Sequence, residues 1–520
     1  MDGKVDTLLC QAGIQRDGTV LDSPYYVDGL WCRFQRGRPK KIKGFRQITA
    51  LTSGISRGIH LETTAGVNTV FNGFSSGLEK VTMDMDGMFG GITSMTLGHF
   101  TSDSRNLWQF DSQFDITGNR MNIVAHPGQN LNDITNQNNT PVLYGDITGT
   151  ALDQITDTAS GGTPISVSGG VCVLHPYVFV YGNNGLIQNC TAGDITKWSG
   201  LSNPDANTQH VASGKVVYGA PLRGGSQAPA GLFWAIDSLI RVSFSGAGNS
   251  AYYWRYDTLS SKTSIMSSQC VVEYDGAYYW IGTDRFLMFN GTVTEIPNQQ
   301  NTNWFFDNLN ISQRQKVWGW KVPRFGEIWW FYPRGTATEC TDAIIYNVRD
   351  KCWYDVGSAI GGQRSAGYYS QVFPFPIAAD TSVFSGKASL WQHEVGADVI
   401  AGTSVTAIQS YIETNCLGWV TGGPNTPSPT GPNNWLNVTR VEPDFVQVGS
   451  MNVYVNGSDF AQTADVLSAP YSFTPTTGKV DLKEQRRQLR LRFESNTLGG
   501  SFEWGRILMN VELGDVRGAT

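Results

Sequence analysis

The sequence predicts an all-β protein with a β-propeller-like body and an additional C-terminal β-sandwich-like module. Three observations predict it. Gly (59) and aromatic residues (12%, with 16 Trp) are abundant in the 520 residues while charge is only 16%, which suits short strands and tight turns better than surface helices. Short alternating runs joined by Asp-Gly and Asn-Gly recur along the chain, at a spacing of about 40 to 50 residues. No amphipathic window is long enough for a substantial helix, and the best candidate, Thr302 to Gln315, is short.

The order of elements divides the chain into an extended assembly segment over 1–50, a propeller over 51–402 and the module over 403–520. The most regular unit is Val271 to Pro297, VVEYDGAYYWIGTDRFLMFNGTVTEIP. Its joints, Asp275-Gly276, Gly282 to Asp284 and Asn290-Gly291, supply the positive φ angles of hairpin loops, so it reads as a four-stranded meander. Comparable units run from Arg57 to Met83, with a turn at Phe71-Asn72-Gly73, and from Asn106 to Gly128. Others run from Val171 to Cys190, with a loop at Asn183-Asn184-Gly185, and from Lys215 to Phe244. Lys316 to Gly335, completed by Ala343 to Gly357, and the strands after Arg364 follow. That makes roughly six or seven sheets, none able to bury both faces alone, so a ring must supply the core. The aromatic pairs Tyr278-Trp280 and Trp329-Phe331 are expected to pack between blades.

Beyond Gly402, Ser410 to Val420 reads as one strand and Thr421 to Asn434 as a Pro/Gly-rich loop. Alternating runs then resume, with Asn456-Gly457 as a hairpin turn. The first residues lack the apolar run of a signal peptide, and nothing approaches a membrane span, so a soluble chain made in a cytoplasm is expected. Eight widely spaced cysteines without a CxxC pair predict buried free thiols rather than a zinc site or disulfide framework.

No catalytic constellation stands out. The six histidines have no metal-ligand spacing, and GxSxG, GxxxxGK[ST] and GxGxxG are missing. Asp84-Met85-Asp86-Gly87 opens like a calcium loop but lacks the later oxygen ligands, so it reads as a turn. These residues predict no catalytic, cofactor or metal site and a chain that is not an enzyme. Paired carboxylates brought together from separate blades, as in a glycosidase, are invisible to such a reading.

The charge is −6, with 44 acidic against 38 basic residues, so the chain as a whole is not a nucleic-acid binder by electrostatics. One basic run stands out: Arg33, Arg36, Arg38, Lys40, Lys41, Lys43 and Arg46 are the candidate assembly interface, with a second cluster at Lys483 to Arg492.

Three stretches carry a family resemblance. Tyr25 to Phe34 followed by Gly37-Arg38-Pro39-Lys40-Lys41, the run from Ser261 to Pro297 with Trp318 to Pro323, and Arg487 to Ser495 with Phe502-Glu503-Trp504-Gly505 resemble the tail nozzle, or packaged-DNA stabilisation, proteins of short-tailed bacteriophages. The resemblance implies a structural protein of the virion tail, synthesised in the host cytoplasm. It would assemble as a homohexameric ring that retains packaged DNA and forms the channel for genome ejection. Implied partners are a head-to-tail adaptor or portal-proximal protein, tail fibre, tailspike or needle proteins, and double-stranded DNA passing without sequence specificity. A lumen that is neutral to acidic would let DNA pass without gripping it. The alternative reading is a phage-tail propeller that binds or cleaves host-surface glycans.

Overall fold

The computed structural model describes residues 4–7, 10–104, 106–116, 118–128, 139–200, 203–222, 229–246, 253–383, 386–417, 434–460 and 462–516. Residues 421–433 of the expected Pro/Gly-rich loop lie outside the described residues.

Seven mainly antiparallel sheets, two of which include one parallel pairing, follow one another along the chain as blades of a propeller. Their innermost strands are Ser56–Thr64, Gln109–Asp115, Gly170–Leu174, Val216–Pro221, Val272–Tyr274, Trp318–Val322 and Arg364–Tyr368, which we number blades 1 to 7. Blade 5 is the meander expected from the sequence, and its first turn has positive φ at both Asp275 (50°) and Gly276 (79°). Blade 7 draws three strands from residues 364–393 and its fourth, Phe45–Thr52, from the start of the chain. The ring is therefore closed by a strand that the sequence assigned mostly to an N-terminal segment, a non-local pairing that no local pattern announces.

The remainder of that N-terminal segment is also built in. Cys32–Gln35 and Arg38–Lys41 extend a sheet formed by Val480–Arg486, Asn434–Val448 and Ser501–Val516. Asp28–Leu30 joins a second sheet with Ser410–Glu413, Gln488–Ser495, Met451–Ser458 and Tyr471–Phe473. The two sheets form the C-terminal module. One apolar cluster runs from Trp318, Trp329 and Phe331 of blade 6 through Trp31 and Phe34 to Leu491, Phe493 and Trp504, so module and ring share a core.

One of the two aromatic pairs packs between blades as expected, and the other does not. Tyr278 and Trp280 of blade 5 pack on Trp234 of blade 4, with ring centroids 5.6 and 5.7 Å apart. Trp329 instead meets Trp31 of the N-terminal segment at 6.0 Å, while Phe331 stacks on Trp318 within blade 6 at 4.3 Å. All eight cysteines are free and seven are buried. The Thr302 to Gln315 stretch contains a short helix, Thr302–Asn308, and part of the 3-10 turn Ile311–Lys316. Asp84 closes a turn, its carboxylate accepting the amides of Asp86 and Met88 at 3.0 and 2.8 Å.

Two turn expectations fail for one reason. Asn72-Gly73 and Asn456-Gly457 lie inside strands, Val67–Phe74 and Met451–Ser458. In both, glycine is there for close approach: a Cβ on Gly73 would lie 2.3 Å from the Trp108 ring, and one on Gly457 would lie 2.0 Å from the Gln488 carbonyl. Gly73→Ala is therefore expected to cost about 1–3 kcal/mol by overpacking. An unchanged urea-unfolding midpoint would show that the Trp108 ring shifts freely.

Candidate functional site

The seven inner strands enclose an axial pocket of about 340 Å³. At the end where these strands begin it is closed. Gln269, just ahead of the inner strand of blade 5, reaches across the axis, and its Nε2 donates to the carbonyls of Arg57 in blade 1 and Trp108 beside blade 2, both at 2.9 Å. Gln109 seals the neighbouring seam by donating to the carbonyls of Gly169 and Val217 at 3.2 and 3.1 Å. The other end, where the strands finish, is open, and Asp111, Glu273, Lys321, Tyr368 and Tyr369 there are half-buried.

Strand alternation explains which side chains meet at that mouth. On blade 1, His60 and Glu62 are two apart and share a face, with Nε2 and Oε1 2.8 Å apart. On blade 2, Asp111 accepts the amides of Ser112 and Val173 at 2.9 and 2.7 Å. On blades 5 and 6, Glu273 and Lys321 form an ion pair at 2.6 Å. Tyr368 of blade 7 lies 4.9 Å from the His60 ring, and Trp108, Phe110, Tyr218 and Tyr278 add aromatic wall.

The carboxyls on blades 1 and 2 are pushed apart in acidity. Burial raises Asp111, and the negative charge of Glu62 adds to it, against the pull of His60 and two amides, leaving it above the ordinary carboxyl range. Burial also raises Glu62, but the hydrogen bond and charge of His60 and the Ser112 hydroxyl outweigh it, leaving Glu62 below its ordinary range. Two neighbouring carboxyls shifted in opposite directions are the arrangement that proton-transfer sites use. Among the described residues no group of three or more His, Cys, Asp or Glu side chains is arranged to hold a metal ion. None of their helices is long and apolar enough to cross a membrane.

The seven cations of the candidate interface are not brought together. Arg33 is fully buried, with its guanidinium on Glu327 at 2.9 Å and Glu394 at 2.6 Å. Arg36 and Lys40 both bind Glu503, at 2.7 and 2.9 Å, although the Arg36 side chain remains 78% exposed. Arg38 donates to the Gly505 carbonyl and Lys41 to that of Gly500, and burial lowers Lys41 to about 8 against the pull of Asp398. Lys43 is half-buried, and Arg46 binds Gln392 Oε1 at 2.7 Å beside the carbonyl of Asp86. The run thus spreads over the core, the module seam and the closing blade. The pocket residues His60, Asp111, Gln269, Glu273 and Lys321, with Glu62 at the rim, escaped notice in the sequence because four different blades supply them. The His-x-Glu alternation at 60 and 62 is their only local trace.

A second ionic tie fastens the ring. Glu339, in the loop after the second strand of blade 6, accepts two bonds from Arg57 of blade 1 at 2.6 and 2.7 Å and one from Lys316 at 2.9 Å. Burial raises its carboxyl, but these two cations outweigh that and hold it below 4.5. Because the folded value lies below the unfolded one, the stabilisation is complete above about pH 4.5 and disappears as pH falls through the folded value. The unfolding midpoint is expected to drop in that window, and Glu339→Gln to flatten the drop; an equal slope in the variant would assign it to other carboxyls.

No protein-family profile matches the sequence, and no curated protein matches it. Solved structures do. The chain is similar to an ancestral GH74 enzyme, with 11% identity and a TM-score of 0.38, over 71% of this chain and 51% of that one. It thus spans about half the length of that enzyme. It is also similar to an exo-beta-1,3-galactanase from Phanerochaete chrysosporium solved with galactose, with 9% identity and a TM-score of 0.28, over 90% of this chain and all (100%) of that one. The class of protein defined here is an all-β propeller with a C-terminal β module. These likenesses, to a GH74 enzyme and a galactanase, run against the expectation of a chain that is not an enzyme. The likeness concerns the fold, and the chemistry of the pocket is argued from its own residues.

Proposed function

We propose that the chain is a carbohydrate-binding propeller whose axial pocket holds a glycan between the groups needed to cleave it. One observation carries this reading: an aromatic-walled blind pocket bears carboxyls on blades 2 and 5, Asp111 and Glu273, which face the axis from opposite parts of the ring. Sugar rings present apolar faces to aromatic side chains and hydroxyls to polar ones, the mix this wall offers. Asp111 donates its proton to the bridging oxygen as the bond from that oxygen to the anomeric carbon breaks. A water attacks that carbon and gives its proton to Glu273, whose charge Lys321 balances at 2.6 Å. The experiment is calorimetric binding and reducing-end release with bacterial surface polysaccharides and their oligosaccharides. Binding with turnover is expected, and failure to bind any glycan would remove the reading.

A second reading, a ring subunit of a short-tailed phage nozzle, is favoured by a different observation. On the outer face of the module, Val446 and Val448 are 77% and 58% exposed, and the cross-strand partner of Val446 is Glu503, the residue that holds the exposed Arg36. Large apolar side chains exposed on a sheet face are characteristic of covered surfaces. Mass photometry at micromolar concentration tests it, since a monomer there speaks against a ring.

A further inference from the structure

We infer that the axial pocket receives the terminal unit of an uncharged glycan and discriminates against chains that end in an acidic sugar. The inference rests on the glycan reading and adds the substrate class.

The first part follows from the closed base. Gln269 spans the axis from blade 5 to blades 1 and 2, with both of its hydrogen bonds made to main-chain carbonyls. A chain cannot thread past it. A pocket on the axis of a ring, walled by seven inner strands and open at one end only, admits an end of a chain and not its middle. Its volume of about 340 Å³ lies at the lower edge of the range for small-molecule pockets, which suits a short terminal portion.

The second part follows from charge. Asp111 and Glu273 line the pocket and Glu62 stands beside His60 at its rim, while among the described residues Lys321 is the one lysine in the lining and no arginine is found there. Lys321 is already bonded to Glu273. Recognition of a carboxylate or sulfate draws on a cation free to make charge-assisted bonds, most often a forked arginine. An acidic sugar would bring its charge beside the Glu62 and Glu273 carboxylates in a partly desolvated site, where like charges repel strongly.

The test is a glycan array, followed by calorimetry on its hits. It carries neutral linear oligosaccharides, the same chains capped with sialic or uronic acid, and neutral cyclic oligosaccharides, which have no ends. The expected result is binding of the linear neutral chains, with the capped chains weaker by roughly tenfold or more, about 1.4 kcal/mol or more of discrimination. Cyclic sugars are expected to stay unbound. In Glu62→Gln the gap between neutral and capped chains is expected to narrow, a readout independent of turnover. Equal or tighter binding of capped chains would overturn the charge argument, and equal binding of cyclic sugars would overturn the terminal one. Silence across the whole array would instead remove the glycan reading on which both rest.

Discussion

Asp111→Asn is expected to reduce glycoside turnover by about 10²- to 10⁴-fold, the usual worth of a positioned general acid, while leaving glycan binding within a few-fold of the parent. Asparagine fills the same space and keeps one of the two acceptor oxygens that take the amides of Ser112 and Val173, so the wall of the pocket keeps its shape while the transferable proton and one amide contact are lost. Burial together with Glu62 keeps the Asp111 carboxyl protonated above its ordinary value of 3.8. Turnover of the parent protein is therefore expected to fall as pH rises through that elevated pKa, because the ionised form has no proton to give. Initial rates of reducing-end release across pH, with calorimetry on the variant, measure both effects. A variant with parental rates would dismiss Asp111 as the acid, and loss of binding with loss of rate would assign it to holding the ligand instead.

The largest effect on stability is expected from Arg33→Ala, about 3–5 kcal/mol, the cost of leaving buried charges without their partner. Arg33 stands at the junction of ring and module. It comes from a strand of the module, and its guanidinium meets Glu327 of blade 6 at 2.9 Å and Glu394, next to blade 7, at 2.6 Å. It also lies 3.8 Å from the centre of the Phe325 ring. Glu327 is fully buried and accepts further bonds from Trp329 Nε1 at 2.8 Å and the Tyr354 hydroxyl at 2.7 Å. Burial raises its carboxyl against the pull of Arg33. Without the arginine, two carboxyls are left facing each other in an apolar setting. Urea unfolding should show the loss, and the double variant Arg33→Ala, Glu327→Gln should recover part of it by removing one stranded charge. A midpoint within experimental error of the parent would show that water or a proton compensates at no cost.

The residues themselves dictated strands of period two, hairpin turns at Asp275-Gly276 and Asn184-Gly185, free cysteines, and sheets that recur along the chain. Those features are local, because φ preference and alternation act over a few residues. Asn72-Gly73 and Asn456-Gly457 carry the same signal as true turns yet run straight through strands. There a neighbouring Trp108 ring and the Gln488 carbonyl need the missing Cβ more than any turn does. Closure of the ring by Phe45–Thr52, capture of the basic run inside the chain, and the mouth formed by His60, Glu62, Asp111, Glu273 and Lys321 all depend on residues far apart in sequence. No window of sequence holds such a site, because its geometry exists only after seven separately encoded sheets have packed around one axis.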